Sequence, residues 1–232
     1  MRLTSRQFPV IVAAVLSLVL PASAFEMPLT DKAVREAYFL GQRNDQATAD
    51  FLSLYTRLFP IPEKGPYVSE VHLLTPCAQV VSVSSRHSTG YSAQQAAADY
   101  HGRGDTFLLQ VRIEFTVTYN YDDAVRTAND TAGELNRHLD PEDFWRAFTF
   151  TVSQSSLNAD QGSDSRSLEP RDVYADPIYG LASRGDTTST LRGAIVYLEY
   201  DASQFESIPT EVEVVPPAAP RVNAKFDLSK LR

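Results

Sequence analysis

Residues 106–119 constrain the fold most, because their apolar and polar side chains alternate strictly from Leu109 onward. The apolar set is Phe107, Leu109, Val111, Ile113, Phe115, Val117 and Tyr119, and every residue between two of them from Gln110 onward is polar. An α-helix repeats about every 3.6 residues, so it would spread these apolar side chains around its circumference. The pattern therefore predicts a β-strand with one buried and one solvated face. Because the stretch is unusually long, we also expect a bend or bulge partway along it.

Further segments show strand patterns and predict a mainly β protein. Residues 148–152, 212–214 and 222–228 alternate in the same way, residues 194–200 are apolar on both faces as in a central strand, and residues 67–74 and 78–84 are less regular. About seven strands with mostly one-sided patterning are typical of an antiparallel β-sandwich. Cys77 is the only cysteine, so the inter-sheet disulfide of antibody-type domains is excluded, and its apolar surroundings predict a buried, unreactive thiol.

Helical patterns precede and interrupt the strands. Residues 25–66 predict a helical hairpin and a proline-rich connector: one helix begins at Thr30 and ends at Gly41, and a second begins at Asn44 or Asp45. Its apolar stripe is Ala47, Phe51, Leu54, Tyr55 and Leu58. Short helices are expected after Ser92, over residues 123–138 and after Asp140. Residues 67–232 are then the sandwich domain, with loops at 155–170 and 182–190.

Residues 1–24 predict a secretion signal peptide. Arg2 and Arg6 precede an apolar run that Pro21 ends, and small residues follow as far as Ala24. The run has about 11 residues, against the roughly 20 that a membrane-spanning helix needs. We expect cleavage before Phe25 and an exported protein, periplasmic or extracellular, without an integral membrane segment in the mature chain.

Charge restricts the choice of partner. The chain has 21 Lys and Arg against 29 Asp and Glu, a formal net charge of −8, and the two leader arginines belong to that basic total. A surface this acidic repels nucleic acid and anionic lipid headgroups. A protein or a component of the cell envelope is the expected partner, and nucleic acid is not.

Two tripeptides suggest receptor adhesion, because Arg-Gly-Asp occurs at 103–105 and again at 184–186. In a receptor-binding protein, an exposed arginine and aspartate of this motif would bridge an anion site and a metal. Both copies also fit a simpler role in turns, where glycine is favoured. Adhesion is therefore the less favoured interpretation.

Metal sites are only weakly indicated. Asn158, Asp160 and Glu169 match three positions of a calcium-binding loop, but Gly162 and Ser163 violate it. A looser acidic cluster would need Asp122, Asp123, Asp140, Glu142 and Asp143 to converge. Helix capping explains the last three without a metal. The four histidines, His72, His87, His101 and His138, have no zinc-ligand spacing.

Catalytic motifs are equally weak. No nucleophile elbow or phosphate loop is present. Glu134, Glu142 and Asp143 could act as the paired carboxyl groups of a glycosidase only if folding placed two of them at the required distance. Trp145, flanked by Phe144 and Phe148, indicates a short helix packed on a sheet more than a sugar-stacking platform. We therefore assign no catalytic, cofactor-binding or metal-binding residue and expect no cofactor.

The function expected from these patterns is that of an exported, non-enzymatic protein that binds another protein or a cell-envelope component. The alternative is a secreted hydrolase acting on polysaccharide or ester substrates, with its site in loops at one end of the sandwich. A cleft with convergent histidines or carboxylates would favour the hydrolase. A calcium-stabilised structural module is a third class.

Overall fold

The computed structural model describes residues 27–87, 89–155, 165–181, 189–217 and 219–232. The expected signal peptide, the second Arg-Gly-Asp and the calcium-loop residues Asn158 and Asp160 lie outside these ranges. Among the described residues, no helix has the length and apolar character needed to cross a membrane.

Helices and strands are intermixed along the chain. The α-helices are α1 (Asp31–Arg43), α2 (Gln46–Ser53), α3 (Pro76–Arg86), α4 (Ala93–Arg103) and α5 (Tyr121–Leu135), with 3-10 turns at Pro141–Ala147, Ala202–Gln204 and Leu228–Lys230. The strands are β1 (Thr56–Leu58), β2 (Pro66–Leu74), β3 (Thr106–Phe115), β4 (Thr149–Ser155), β5 (Ser165–Leu168), β6 (Asp172–Leu181), β7 (Ser189–Asp201), β8 (Pro209–Val215) and β9 (Val222–Asp227).

Two antiparallel sheets share one core. The larger sheet has the strand order β1-β2-β3-β7-β6 and the smaller has β5-β4-β8-β9. Leu109, Val111 and Val196 from the larger sheet join Val212 and Phe226 from the smaller in one buried cluster. The expectation of antiparallel β-sheets is confirmed. The expectation of a mainly β sandwich of seven strands is wrong, because the described residues hold nine strands and the helices make the fold mixed α/β.

The long alternating segment forms β3, but it ends earlier than the pattern predicted. Leu109, Val111 and Ile113 are fully buried, whereas Val117 is fully exposed beyond the end of the strand. Thr116 and Tyr119 close a turn there through a backbone hydrogen bond of 3.0 Å. The bend or bulge expected within this stretch is not found in β3, whose pairing with β7 is regular. The irregularity in its pairing with β2 lies on β2, between Val68 and Glu70.

Residues 78–84, expected as a strand, belong to helix α3. The hydroxyl of Thr75 accepts a hydrogen bond from the Ala78 backbone N–H, and Pro76 occupies the first helical turn. A capped start with proline in this position favours helix even where the following residues are β-branched. The helix is buried at Ala78 and Val81 against its neighbours, so packing supplies the rest of its stability.

The expected N-terminal hairpin is also corrected. Helices α1 and α2 form with Thr30 and Asp45 as their N-caps, but α1 packs mainly on α3 and α4 and only slightly on α2. Gly41 lies inside α1, where a Cβ atom would come within 2.5 Å of the Val81 carbonyl oxygen. It therefore permits close helix packing, and α1 ends at Asn44 in the left-handed conformation. Leu58, expected on the α2 stripe, is exposed in β1.

Tyr55 connects α2 to the last residues of the chain and yields a prediction about alkaline stability. Its hydroxyl donates to the Arg232 carbonyl oxygen at 2.7 Å and accepts from the Arg232 backbone N–H at 2.9 Å. Burial raises the pKa of Tyr55 to about 12. An unfolded tyrosine titrates near about 10, so the protonated phenol stabilises the folded state below that pH. This contribution is lost as the pH rises from about 10 through 12.

We expect Tyr55→Phe to lower the free energy of unfolding at pH 7 by about 1–2 kcal/mol, because two hydrogen bonds are lost. Between pH 10 and 12 the variant should lose less stability than the native protein. Urea denaturation at pH 7, 10 and 12 measures both effects, and the exposed Tyr121→Phe is the control. Equal alkaline losses in Tyr55→Phe and the native protein would contradict the prediction.

Candidate functional site

The larger sheet turns one face away from the shared core, and we call it the outer face. In β3, the fully buried Leu109 and Val111 alternate with the half-buried Gln110 and Arg112. The strand register places Gln110 opposite Tyr197 of β7, and Tyr197 opposite Tyr174 of β6. These three polar side chains therefore form a row across the outer face.

A pocket of about 260 Å³ lies between this row and helix α3, and we call it the arginine–tyrosine pocket. The helical wall comes from α3 and from the end of α4. The sheet wall comes from β2, β3, β6 and β7. The lining residues are Leu74, Gln79, Ser82, Val83, Arg86, Arg103, Leu108, Gln110, Tyr174, Asp176, Tyr197 and Glu199.

Arg103 is held in place by a buried glutamine. Gln79 is 3% exposed, and its side-chain amide donates to the carbonyl oxygens of Leu74 at 3.2 Å and Thr106 at 2.6 Å. Its Oε1 then accepts a hydrogen bond of 2.8 Å from Nη1 of Arg103. Because both hydrogens of the amide are used, the orientation of its oxygen toward Arg103 is fixed. Gln79 thus positions the guanidinium at the pocket.

Arg86 supplies the second cation of the helical wall. Among the described residues, its guanidinium bonds the carbonyl and hydroxyl oxygens of Ser82 one turn earlier, each over a long 3.3 Å. Within the part of the chain that the structure describes, neither Arg86 nor Arg103 has a carboxylate within ion-pairing distance. Two guanidinium groups thus retain donors for an external acceptor.

Two tyrosines form the sheet wall. The rings of Tyr174 and Tyr197 stack with centroids 4.9 Å apart and an interplanar angle of 15°, and Tyr174 is 40% exposed. Burial raises the pKa of both phenols. The charges of nearby carboxylates add to this effect, mainly Glu199 for Tyr174 and Asp176 for Tyr197. A hydrogen bond to Asp176 also raises the pKa of Tyr197, so both hydroxyls are protonated at neutral pH and that of Tyr197 already has an acceptor.

The two carboxylates of the pocket differ in their surroundings. Glu199 is paired with Arg171, whose Nη2 lies 2.9 Å from its Oε2. Asp176 is exposed and has no Lys, Arg or His partner within ion-pairing distance among the described residues. Its position two residues from Tyr174 on β6 places it on the outer face as well. One acid of the pocket is thus paired with a cation, whereas the other is hydrogen-bonded to Tyr197 and has no cation among the described residues.

The first Arg-Gly-Asp tripeptide is built into the fold. Arg103 bonds Gln79, and Asp105 accepts a short hydrogen bond from the Tyr100 hydroxyl. Each of the two side chains thus makes a contact within the protein that fixes its position. The tripeptide at 184–186 lies outside the described residues, so adhesion through it stays untested.

Two of the acidic residues considered for a metal, Asp123 and Asp143, complete capping boxes at the starts of helical segments. Asp123 accepts from the Asn120 backbone N–H, Asp143 accepts from that of Asp140, and Glu142 accepts a short hydrogen bond from Tyr179. Within the described ranges, no three His, Cys, Asp or Glu side chains are grouped as metal ligands. These ranges contain all four histidines, with His87 stacked on Tyr91 and His101 and His138 in exposed pairs with aspartates.

His72 lies in a hydroxyl–imidazole–carboxylate series on the outer face. Its Nδ1 is 3.0 Å from the Thr56 hydroxyl, and its Nε2 is 3.0 Å from Oε2 of Glu70. The Thr56 hydroxyl, however, donates its hydrogen to the Leu52 carbonyl oxygen at 3.0 Å. None of the three residues lines the arginine–tyrosine pocket.

Two other depressions are chemically simpler. A groove of about 350 Å³ is mostly apolar and rich in proline; it is lined by residues 59–62, by Tyr67 and Val68, and by Pro216 together with residues 219–223. A wide depression of about 940 Å³ beside α5 carries Asp123, Asp130 and Glu134. The arginine–tyrosine pocket is the better candidate because cations, phenols and carboxylates from separate elements meet in it.

Sequence reasoning missed this pocket. In the sequence Arg103 belongs to an Arg-Gly-Asp tripeptide, and no motif marks Arg86, Tyr174, Asp176 or Tyr197. Gln79 carried a usable signal, since a polar residue on the buried side of a helix needs internal hydrogen-bond partners.

Comparison of the chain with protein-family models, curated proteins and solved structures found no match.

Proposed function

We propose that this chain is an exported, non-enzymatic protein that binds a small, carboxylated component of the cell envelope in the arginine–tyrosine pocket. The observation that carries the proposal is the pair of guanidinium groups, Arg86 and Arg103, that face the pocket without a carboxylate partner among the described residues. Export rests on the pattern of residues 1–24.

Arginine is suited to this role because its planar guanidinium can bind a carboxylate through two parallel hydrogen bonds. Gln79 pre-orients Arg103, which lowers the entropy lost when a ligand binds. The stacked tyrosines add a flat apolar surface, and the hydroxyl of Tyr174 is a further polar group at its edge. Together these groups can orient a small polar molecule.

The proposal predicts that N-acetylalanine, a probe with one carboxylate and no ammonium, binds the native protein. Arg103→Gln should weaken this binding at least about tenfold, because a charge-assisted hydrogen bond contributes about 1.5–3 kcal/mol. Titration monitored by the arginine Nε–H signals in NMR measures the affinity. The exposed Arg137→Gln, far from the pocket lining, is the control. Absence of binding, or equal affinity in Arg103→Gln and Arg137→Gln, would contradict the proposal.

A second candidate is a secreted hydrolase of ester or polysaccharide substrates, and the Thr56–His72–Glu70 series favours it. Hydrolysis of p-nitrophenyl acetate by the native protein, by His72→Gln and by Thr56→Val tests the ester branch. A rate that both substitutions abolish would favour the hydrolase. Equal rates in all three proteins would show that the Thr56–His72–Glu70 series does not support a hydrolase.

A further inference from the structure

The two walls of the arginine–tyrosine pocket carry charges of opposite sign. Arg86 and Arg103 stand on the helical wall, and Asp176 and Glu199 stand on the sheet wall. Glu199 is already paired with Arg171 at 2.9 Å, so Asp176 is the acid that faces the pocket without a cation. A ligand with charge of one sign only would meet attraction at one wall and repulsion at the other.

We propose that the ligand is a small zwitterion, an amino acid or short peptide with a free ammonium and a free carboxylate. The carboxylate is bound by Arg103 and Arg86, and the ammonium lies beside Asp176. This inference rests on the proposed function, because it specifies the ligand class for the same pocket.

The tyrosine pair favours the same orientation. Tyr174 lies two residues from Asp176 on the same face of β6, and Tyr197 lies directly opposite Tyr174 on β7. A strand rises by about 3.3 Å per residue, so Asp176 and Tyr174 are separated by about 7 Å along it. An ammonium beside Asp176 is then also near aromatic faces, which attract cations.

The size of the pocket favours a small ligand. Its volume of about 260 Å³ lies below the range of roughly 300–1,000 Å³ that is usual for drug-sized molecules. A single amino acid or a dipeptide therefore suits it better than a long polymer.

Three related probes test the charge requirement in the intact protein. Dialanine carries both charges, N-acetyldialanine lacks the ammonium, and dialanine amide lacks the carboxylate. We expect dialanine to bind at least about tenfold more tightly than either derivative in calorimetric titrations, because each derivative loses one charge-assisted contact.

Substitutions assign each charge to its wall. In Asp176→Asn, dialanine should lose affinity until it binds about as weakly as N-acetyldialanine, whose own affinity should change little. In Arg103→Gln, the affinity for dialanine should fall until it is about as weak as the affinity for dialanine amide. Asp130→Asn, which changes an exposed acid outside the pocket, is the control.

The outcomes separate this inference from the proposed function. If N-acetyldialanine or N-acetylalanine binds as tightly as dialanine, or if Asp176→Asn leaves dialanine affinity unchanged, the zwitterion inference is overturned and a simple carboxylate site remains. If none of the carboxylated probes binds, both the inference and the proposed function are overturned. Asp176 is exposed on an edge strand, so its substitution is expected to leave the fold intact.

Discussion

Gly193→Ala is expected to lower the free energy of unfolding by about 3 kcal/mol or more, at the upper end of the cost of overpacking a core. A Cβ atom at this position would lie 2.1 Å from the Ile113 carbonyl oxygen and 3.1 Å from the Glu114 Cα. Both atoms belong to the backbone of β3, which cannot rotate away as a side chain can. The melting temperature should fall by about 6–12 °C, since each kcal/mol corresponds to about 2–4 °C in a domain of this size.

The close approach arises from an irregularity in the sheet. Ile178 of β6 pairs with Gly193 and Tyr179 pairs with Leu191, so Arg192 is an extra residue on β7. Such a bulge bends the strand, and glycine is often found where a bend brings two backbones together. At Gly193 the bend brings β7 onto β3, in the centre of the larger sheet.

Gly180→Ala is the matched control, because Gly180 lies in the neighbouring strand β6 of the same sheet. The three described atoms nearest to its Cβ would all belong to the side chain of Arg192, the closest at 3.1 Å, and a flexible side chain can move aside. Thermal melts of both variants and the native protein test the comparison. Similar melting temperatures for Gly193→Ala and Gly180→Ala would show that β3 and β7 are farther apart than described.

Features determined by neighbouring residues could be predicted from the sequence. Thr30, Asp45 and Ser92 cap helices as expected, and each does so through contacts within three residues along the chain. The alternation of apolar and polar residues along β3 indicates which face of the strand is buried. Both signals are local, so a single sequence contains them.

Features that depend on tertiary packing could not be predicted. Strand β6 was missed because it is an edge strand whose residues are mostly exposed, so no apolar alternation marks it. Helix α3 was misread because residues 78–84 are rich in valine and serine, which favour strands or turns in isolation. The cap at Thr75 and packing against α1 override that preference.

The candidate site was hidden for a related reason. Arg86 and Tyr197 are far apart in the chain, and only the packing of α3 beside β7 brings them to one pocket. A binding site of this kind has no fixed spacing, unlike a metal motif or a phosphate loop. The same holds for the pairing of Tyr174 with Tyr197, which depends on strand register.

Trp145, Phe144 and Phe148 illustrate a packing prediction that is confirmed. The sequence indicated a short helix held on a sheet by aromatic side chains, and these three residues belong to the shared core. The segment is a 3-10 turn over Pro141–Ala147, and its Phe144 is fully buried. The Phe144 ring meets those of Phe115 at 4.7 Å and Phe148 at 6.4 Å, in both cases edge to face.

Phe144→Ala is therefore expected to lower the free energy of unfolding by about 3–5 kcal/mol, because it removes a buried ring and leaves a cavity. The aromatic pairs contribute part of this loss, about 0.5–1.5 kcal/mol each. Phe144→Leu retains most of the buried volume and should cost less. Urea denaturation gives the free energies, and Trp145, the single tryptophan of the chain, reports locally through its fluorescence.

The matched control is Phe39→Ala on helix α1, where the ring is 56% exposed. Its removal should change stability by less than about 1 kcal/mol, because little apolar surface returns to water and alanine favours helix. In Phe144→Ala the emission of Trp145, which is 6% exposed, should shift to the red before global unfolding, since the 3-10 turn loses its anchor. Equal losses of stability in Phe144→Ala and Phe39→Ala would show that the aromatic cluster does not hold this turn on the core.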